Sequence, residues 1–76
     1  MNKARRAKIN NVKTELEGLS ERIESIRDDE QDYYDNIPEN LQDSERASAS
    51  ESAIDALESA IDSIAEALES LEEAAE

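Results

Sequence analysis

The chain has 76 residues, of which 21 are acidic and 8 are basic, so its formal net charge is −13. Seven Ile, six Leu and one Val make up 18% of it, and so few large aliphatics with so high a charge are typical of disordered chains. The absence of cysteine and histidine excludes disulfides and thiol chemistry and removes the commonest metal ligand and general base. A fold must therefore follow from the order of the residues.

The amino terminus is basic, but no apolar stretch follows it. Ile9 is succeeded by Asn10 and Asn11, which does not match a signal peptide. No segment approaches the ~20 apolar residues that span a bilayer. The negative charge disfavours anionic lipid and nucleic acid as ligands of the main body. We therefore expect a cytoplasmic protein that binds neither membrane nor nucleic acid.

The first half of the chain repeats large apolar residues at alternating spacings of three and four, the a/d pattern of a coiled-coil helix. With Ile9 at position a, the pattern predicts a helix over about residues 3–35. At ~1.5 Å rise per residue this helix is about 45–50 Å long. The predicted seam comprises Ile9, Val12, Leu16, Leu19, Ile23, Ile26 and Tyr33.

A turn is predicted over about residues 36–43. Ile37 precedes Pro38 and is therefore biased away from helical geometry, so the first helix should end before it. Pro38 also favours a short helical piece directly after it. Asp43 or Ser44 is suited to cap a second helix, because a short polar side chain accepts a hydrogen bond from a free backbone N–H.

A second heptad array predicts a helix over about residues 44–75. Its apolar residues have the same spacings as those of the first helix. They are Ile54, Leu57, Ile61, Ile64, Leu68 and Leu71.

The two arrays mirror each other. When the chain is folded about Asn40, so that the numbers of facing residues add up to 80, each large aliphatic of positions 9–26 faces one of the second array. Ile9 then faces Leu71, and the next layer beyond the aliphatics sets Glu30 opposite Ser50. Pairing of a with d positions is the layer pattern of antiparallel helices. The predicted fold is all-α, a single antiparallel two-helix hairpin of coiled-coil type.

Charge is distributed unevenly along the chain. Residues 1–13 contain five bases and no acid, whereas residues 47–76 contain nine acids and no base. Each arrangement opposes the dipole of its own helix, but in a hairpin the two ends attract each other. The alternative is that the basic arm reaches a nucleic acid.

The second helix has only Ala or Ser at positions g and c beside its seam. Ala is a good helix former, so one interpretation is that this stripe needs no partner. The other is that a second copy packs there, because a hairpin of under ~80 residues has little core of its own. This favours a homodimer that forms a four-helix bundle. We call these residues the small-residue lane: Ala49, Ala53, Ala56, Ala60, Ser63, Ala67, Ser70 and Ala74.

Acidic residues recur at helical spacings on the second helix and cluster at the end of the first. Three interpretations compete: a solvated face that favours solubility, a DNA-like surface that occupies a basic groove of another protein, and a metal site. Asp28–Asp32 resembles half a calcium loop, but it lacks the central Gly and the bidentate Glu and lies in a helical frame. We therefore expect no metal and no cofactor.

Two adjacent tyrosines are the only aromatic residues. Tyr33 occupies a d position and is predicted to cover the end of the seam. Tyr34 falls off the seam among acids, where it could anchor an interface or lie over Ile37 and Leu41 at the tip.

Enzymatic activity is not expected. Serines are plentiful, but no His or buried base is available to activate one. A two-helix hairpin also offers no concave pocket that would shift the pKa values of its carboxylates.

The turn from Asn36 to Gln42 and the following Ser44–Arg46, together with the repeated Ala-Ile-Asp of the second helix, resemble a group of small acidic proteins encoded by bacteriophages and prophages. The resemblance implies a phage protein acting in the cytoplasm of a bacterial host, and it favours an inhibitor of a host defence or nucleic-acid-handling protein with a basic surface. The alternative is a coiled-coil adaptor for assembly. The residues predicted to bind the host protein are Asp28, Asp29, Asp32, Tyr34, Asp55, Asp62 and Glu69.

Overall fold

The computed structural model describes residues 2–76, which form two long α-helices. Helix α1 spans Lys3–Asp35 and helix α2 spans Glu45–Ala74, with a single 3-10 turn at Glu39–Leu41 between them. The helices pack antiparallel along their lengths, which confirms the predicted all-α hairpin. The molecule measures 59 × 15 × 12 Å and its radius of gyration is 17.4 Å, whereas a globular chain of this length has one of about 11 Å.

Side-chain caps start both helices. The Asn2 side chain accepts a hydrogen bond from the Arg5 backbone N–H at 2.8 Å. Ser44 Oγ accepts one from the Ala47 backbone N–H at 3.2 Å. Each cap satisfies one of the backbone donors that a helix leaves free in its first turn.

The connection turns the chain around one buried aliphatic side chain. Ile37 is buried directly after the end of α1, and its carbonyl accepts a hydrogen bond from Gln42 Nε2 at 3.0 Å. Ala47, in the first turn of α2, has no exposed surface. The tip is therefore closed by local packing.

Polar contacts between the helices fix their register. Ser50 Oγ donates a hydrogen bond to Glu30 Oε2 at 2.6 Å, and Ser50 is only 3% exposed. These two residues face each other in the register predicted from the mirrored arrays. A single ion pair within residues 2–76 joins the helices, between Lys13 Nζ and Glu72 Oε1 at 3.4 Å. The basic residues of the segment 3–8 form no ion pair with the acidic end of α2 within residues 2–76.

The predicted seam is wrong for half of the positions on α1. The d residues are exposed, at 44% for Val12, 46% for Leu19, 55% for Ile26 and 46% for Tyr33. The residues next to them in sequence are more buried, and the side chain of Lys13 is only 19% exposed. Helix α1 has thus rolled about its axis, so that its a and e positions face α2. The more buried e residues are Lys13, Ser20, Arg27 and Tyr34.

Two features account for this roll. At the e edge, Lys13 binds Glu72 and the Tyr34 hydroxyl donates to Glu51 Oε1 at 2.6 Å. On α2 the seam is broadened by Ala53 and Ala60, which are partly buried beside it. The small side chains at one edge and the polar contacts at the other allow α1 to contact α2 through positions a and e, where the heptad frame predicts positions a and d.

No helix within residues 2–76 is both long and apolar enough to cross a lipid bilayer.

Candidate functional site

The roll of α1 gives the hairpin two chemically different faces. Tyr33 and Tyr34 are separated by ~100° around the helix, and they line grooves on opposite sides. One groove, at the tip, is lined by Tyr33, Asn36, Ile37, Pro38, Leu41, Ser44, Glu45 and Arg46. The other groove lies between the helices and is lined by Gln31, Tyr34, Glu51, Ile54, Asp55 and Glu58.

The Tyr34 side of the hairpin is acidic. Along α2 its carboxylates occupy positions e and b, which share one side of a helix. From Glu51 to Glu72 this row is about 32 Å long at ~1.5 Å per residue. Helix α1 adds two carboxylates from its b positions. We call this surface the acidic face: Glu17, Glu24, Glu51, Asp55, Glu58, Asp62, Glu69 and Glu72.

Tyr34 joins the two helices on the acidic face. Its hydroxyl donates the hydrogen bond to Glu51, which raises the pKa of Tyr34 above its ordinary value, and partial desolvation together with the charges of Glu51, Asp35 and Asp43 raises it further. The residue is half-buried. Tyr34 thus reaches α2 and does not lie over Ile37 and Leu41, and its role as an interface anchor stays a prediction.

The predicted partner-binding residues fall into two groups. Asp55, Asp62 and Glu69 lie in the α2 row with exposed side chains, and Tyr34 lies beside them. The remaining three are on α1 and do not converge with that row. Asp28 is exposed on the acidic side but pairs with its neighbour Arg27 at 3.1 Å. Asp32 is at the outer edge of α1, and Asp29 is on the opposite side.

Several acids of this surface were not predicted as binding residues. Glu51 and Glu58 line the groove beside Tyr34, and Glu72 reaches Lys13 across the helices. All three are at e positions. In an antiparallel pair, e residues of one helix flank e residues of the other, so the heptad frame could have identified them.

The opposite side of the hairpin carries the exposed apolar residues of α1 and the small side chains of α2. The exposed d residues of α1 project to this side, because position d lies ~80° from the centre of the rolled α1 contact. The g and c positions of α2 turn to the same side, so the small-residue lane lies beside them. We call this surface the apolar face: Val12, Leu19, Ile26 and Tyr33 of α1 with the small-residue lane of α2.

The carboxylates are dispersed along the helices. Within the part of the chain that the structure describes, no three acidic side chains converge on a point where an ion could be held. Asp28 and Asp32, four residues apart, lie on one side of α1, whereas Asp29 is turned ~100° away from Asp28 around the helix. The arrangement offers an extended row of charge for binding another surface.

Comparisons of the chain with protein-family models, with curated proteins and with solved structures found no match.

Proposed function

We propose that this protein is a non-enzymatic binding module that inhibits a bacterial host protein by occupying its basic surface with the acidic face. The observation that supports this function most strongly is the row of carboxylates that α2 carries on one side of the hairpin. The g and c positions of α2 from Ala49 to Ala74, on the opposite side, carry only Ala and Ser. A face that served solubility alone would not require such segregation.

The acidic face presents a row of anions, as a nucleic-acid strand does. Its α2 row places carboxylates at spacings of mostly three or four residues, or about 5–6 Å. Duplex DNA presents one phosphate charge per ~3.4 Å of axis on each strand. A protein groove that binds phosphates with Lys and Arg would therefore meet a similar row of anions, which supports a host protein that handles nucleic acid.

The α2 row of the acidic face lies on a regular helix. Lys13 and Tyr34 of α1 contact Glu72 and Glu51 near the two ends of this row. A preorganised row loses less conformational entropy on binding than a flexible acidic tail. Electrostatic complementarity of this kind mainly raises the association rate and makes binding sensitive to salt.

The test is capture of host proteins from a bacterial lysate on immobilised protein. The wild type is compared with Asp55→Lys/Asp62→Lys, which reverses two exposed charges of the acidic face. We expect a basic protein that is retained by the wild type, released by duplex DNA or by raised salt, and lost with the variant.

The matched control is Glu66→Lys/Glu73→Lys. Both residues are exposed at the outer edge of α2, and this variant has the same net charge as the first. It is expected to retain the captured protein. Equal loss in both variants, or retention in both, would show that the acidic face is not the binding surface.

The exposed apolar face favours a second candidate, a coiled-coil adaptor for assembly. In that case the small-residue lane is the binding surface, and the acidic residues only keep the hairpin soluble. Ala56→Glu/Ser63→Glu, at two exposed positions of the small-residue lane, separates the two functions. An adaptor loses its partner with this variant, whereas an inhibitor that acts through the acidic face keeps binding its host protein.

A further inference from the structure

The hairpin leaves one large apolar residue per heptad of α1 half-exposed. Val12, Leu19, Ile26 and Tyr33 recur at intervals of seven along the apolar face. In the same helix the more polar Lys13 and Ser20 are turned toward α2. A lone hairpin would gain free energy by burying the larger side chains, so this exposure indicates a surface that is covered by a partner.

The exposed area of the chain has the size that a dimer requires. The chain exposes 5700 Å², whereas a compact monomer of its mass exposes roughly 4700 Å². The excess of about 1000 Å² is close to the ~800 Å² that each partner buries in a standard interface.

We propose that the apolar face is covered by a second copy of this chain, with α1 packed antiparallel on α1 of that copy about a two-fold axis at Leu19. Residues whose numbers add up to 38 are then level. Leu19 faces its own counterpart, Val12 faces Ile26 of the second copy, and Tyr33 faces Arg5. Leu19 lies near the middle of the hairpin, so the two copies overlap over nearly their full length.

Charges beside the stripe select this register. The g positions of α1 alternate in sign: Lys8, Glu15, Arg22 and Asp29. With the axis at Leu19, Lys8 is within one residue of the level of Asp29 in the second copy, and Glu15 is within one residue of Arg22. All four pairs across the dimer thus join opposite charges, as flanking residues do in antiparallel coiled coils.

Neighbouring registers that also stack d residues bring like charges together. Moving the axis half a heptad toward the tip sets Arg22 against Arg22 and Glu15 against Asp29. Moving it half a heptad the other way sets Lys8 against Arg22 and Glu15 against itself. Like charges placed opposite each other disfavour both alternatives.

The remaining contacts fit the same axis. Arg5 faces the ring of Tyr33, which is half-exposed, and a guanidinium over an aromatic face is attractive. On the α2 side the level residues belong to the small-residue lane, with Ala60 against Ala60 and Ala53 near Ala67. Small side chains let these helices approach closely.

The first test is the mass in solution, followed by sedimentation or light scattering. Interfaces of this size have dissociation constants from about micromolar downward, so a sample at about 100 μM should be dimeric, at twice the chain mass of 8.5 kDa. Leu19→Glu should give a helical monomer. Ser25→Glu adds the same charge at the outer edge of α1 and should remain dimeric. A wild type that stays monomeric at this concentration overturns the proposal.

The second test locates the axis by cysteine cross-linking, which is clean because the chain has no cysteine. Leu19→Cys should form a disulfide-linked dimer on mild oxidation. Ile26→Cys alone should not form this disulfide, because Ile26 faces Val12 of the second copy. The double variant Val12→Cys/Ile26→Cys should form it. Faster cross-linking of Ile26→Cys than of Leu19→Cys would place the axis elsewhere and overturn the proposed register.

A charge swap tests the register independently. Glu15→Arg should weaken dimerisation about tenfold, or by ~1.4 kcal/mol, since two attractive pairs become repulsive. Glu15→Arg/Arg22→Glu restores both pairs and should recover the wild-type affinity. Glu21→Arg, on the acidic side, changes the net charge as Glu15→Arg does and should leave dimerisation unchanged. Failure of the double variant to recover excludes this pairing.

Discussion

Tyr33 and Tyr34 are adjacent in sequence but lie on opposite sides of the hairpin. The heptad frame assigns Tyr33 to the seam and leaves Tyr34 outside it, yet Tyr34 bonds to Glu51 and Tyr33 is half-exposed. A hydroxyl that reaches a carboxylate contributes a charge-assisted hydrogen bond. Tyr33 has no such partner on α2, because the layer opposite it is occupied by the buried Ala47.

The hydrogen bond of Tyr34 predicts a pH dependence. Because the pKa of Tyr34 is raised in the folded state above the value of about 10 expected when unfolded, folding favours the protonated form. The hydrogen bond of Tyr34 therefore stabilises the folded state fully below about pH 10, and this stabilisation is lost as the pH rises through the folded-state pKa. The difference in unfolding free energy between wild type and Tyr34→Phe, measured in urea, should be constant from about pH 7 to 9 and shrink above about 10. Tyr33→Phe is the control, and equal profiles for both variants would contradict this role.

Gly18 predicts a gain in stability. It lies within α1 without a positive φ, and a Cβ added there meets nothing within 4 Å. Gly18→Ala should therefore raise the free energy of unfolding by ~0.5–1 kcal/mol, because alanine loses less backbone entropy in a helix. The reverse exchange Ala65→Gly, at an exposed site of α2, should lower it by a similar amount. A loss of stability in Gly18→Ala would indicate close contact that the hairpin alone does not show.

At the scale of the element, α2 is the more specialised helix. It combines large aliphatics, a small-residue lane and a row of acids on three sides, whereas α1 divides its apolar residues between the contact with α2 and the exposed apolar face. The acids near the carboxyl end of α2 oppose its dipole, and among residues 2–76 Glu72 alone of these acids forms an ion pair across the hairpin. The start of α2 is correspondingly important for its stability.

Removing the cap of α2 should destabilise the hairpin. Ser44→Ala leaves the Ala47 N–H without its acceptor, so the free energy of unfolding should fall by ~1 kcal/mol. Ser48→Ala is the matched control, since Ser48 is exposed inside the helix and alanine is the better helix former. Thermal or urea unfolding followed by circular dichroism measures both. The predicted cap has no role if the two variants lose the same stability.

At the scale of the whole molecule, the hairpin has a thin core. Ile37, Ala47, Ser50 and Ile54 are the buried residues within 2–76, and all lie near the tip. The remainder of the contact between α1 and α2 is only half-buried. The tip therefore anchors the hairpin, while its open end depends on few contacts between the helices.

The position of the core predicts unequal costs for two similar substitutions. Ile54 is 7% exposed, so Ile54→Ala should lower the free energy of unfolding by ~2–5 kcal/mol through lost burial and a cavity. Ile26→Ala, on the apolar face, should cost less than about 1 kcal/mol when the protein is dilute enough to be monomeric. Urea denaturation at low concentration measures both. Equal costs would place Ile26 in the core of the monomer.

Heptad spacing and the mirrored arrays were sufficient to predict the two helices, their antiparallel packing and the Glu30–Ser50 layer. These features depend on local periodicity and on residue order, which are visible in the sequence. Pro38 and Ser44 likewise mark the turn by their own backbone chemistry. The acidic row on α2 follows from the same periodicity.

Only the tertiary structure decided which side of α1 faces α2. Positions d and e flank position a on either side. An a/d frame assumes that the apolar d residue, and not the e residue, faces the other helix. Here the contacts of Lys13 and Tyr34 with Glu72 and Glu51, and the narrow alanines beside the α2 seam, turn α1 the other way. Such a roll depends on both helices at once, so no pattern within one helix reveals it. It separates the acidic face from the apolar face and leaves the d residues of α1 exposed.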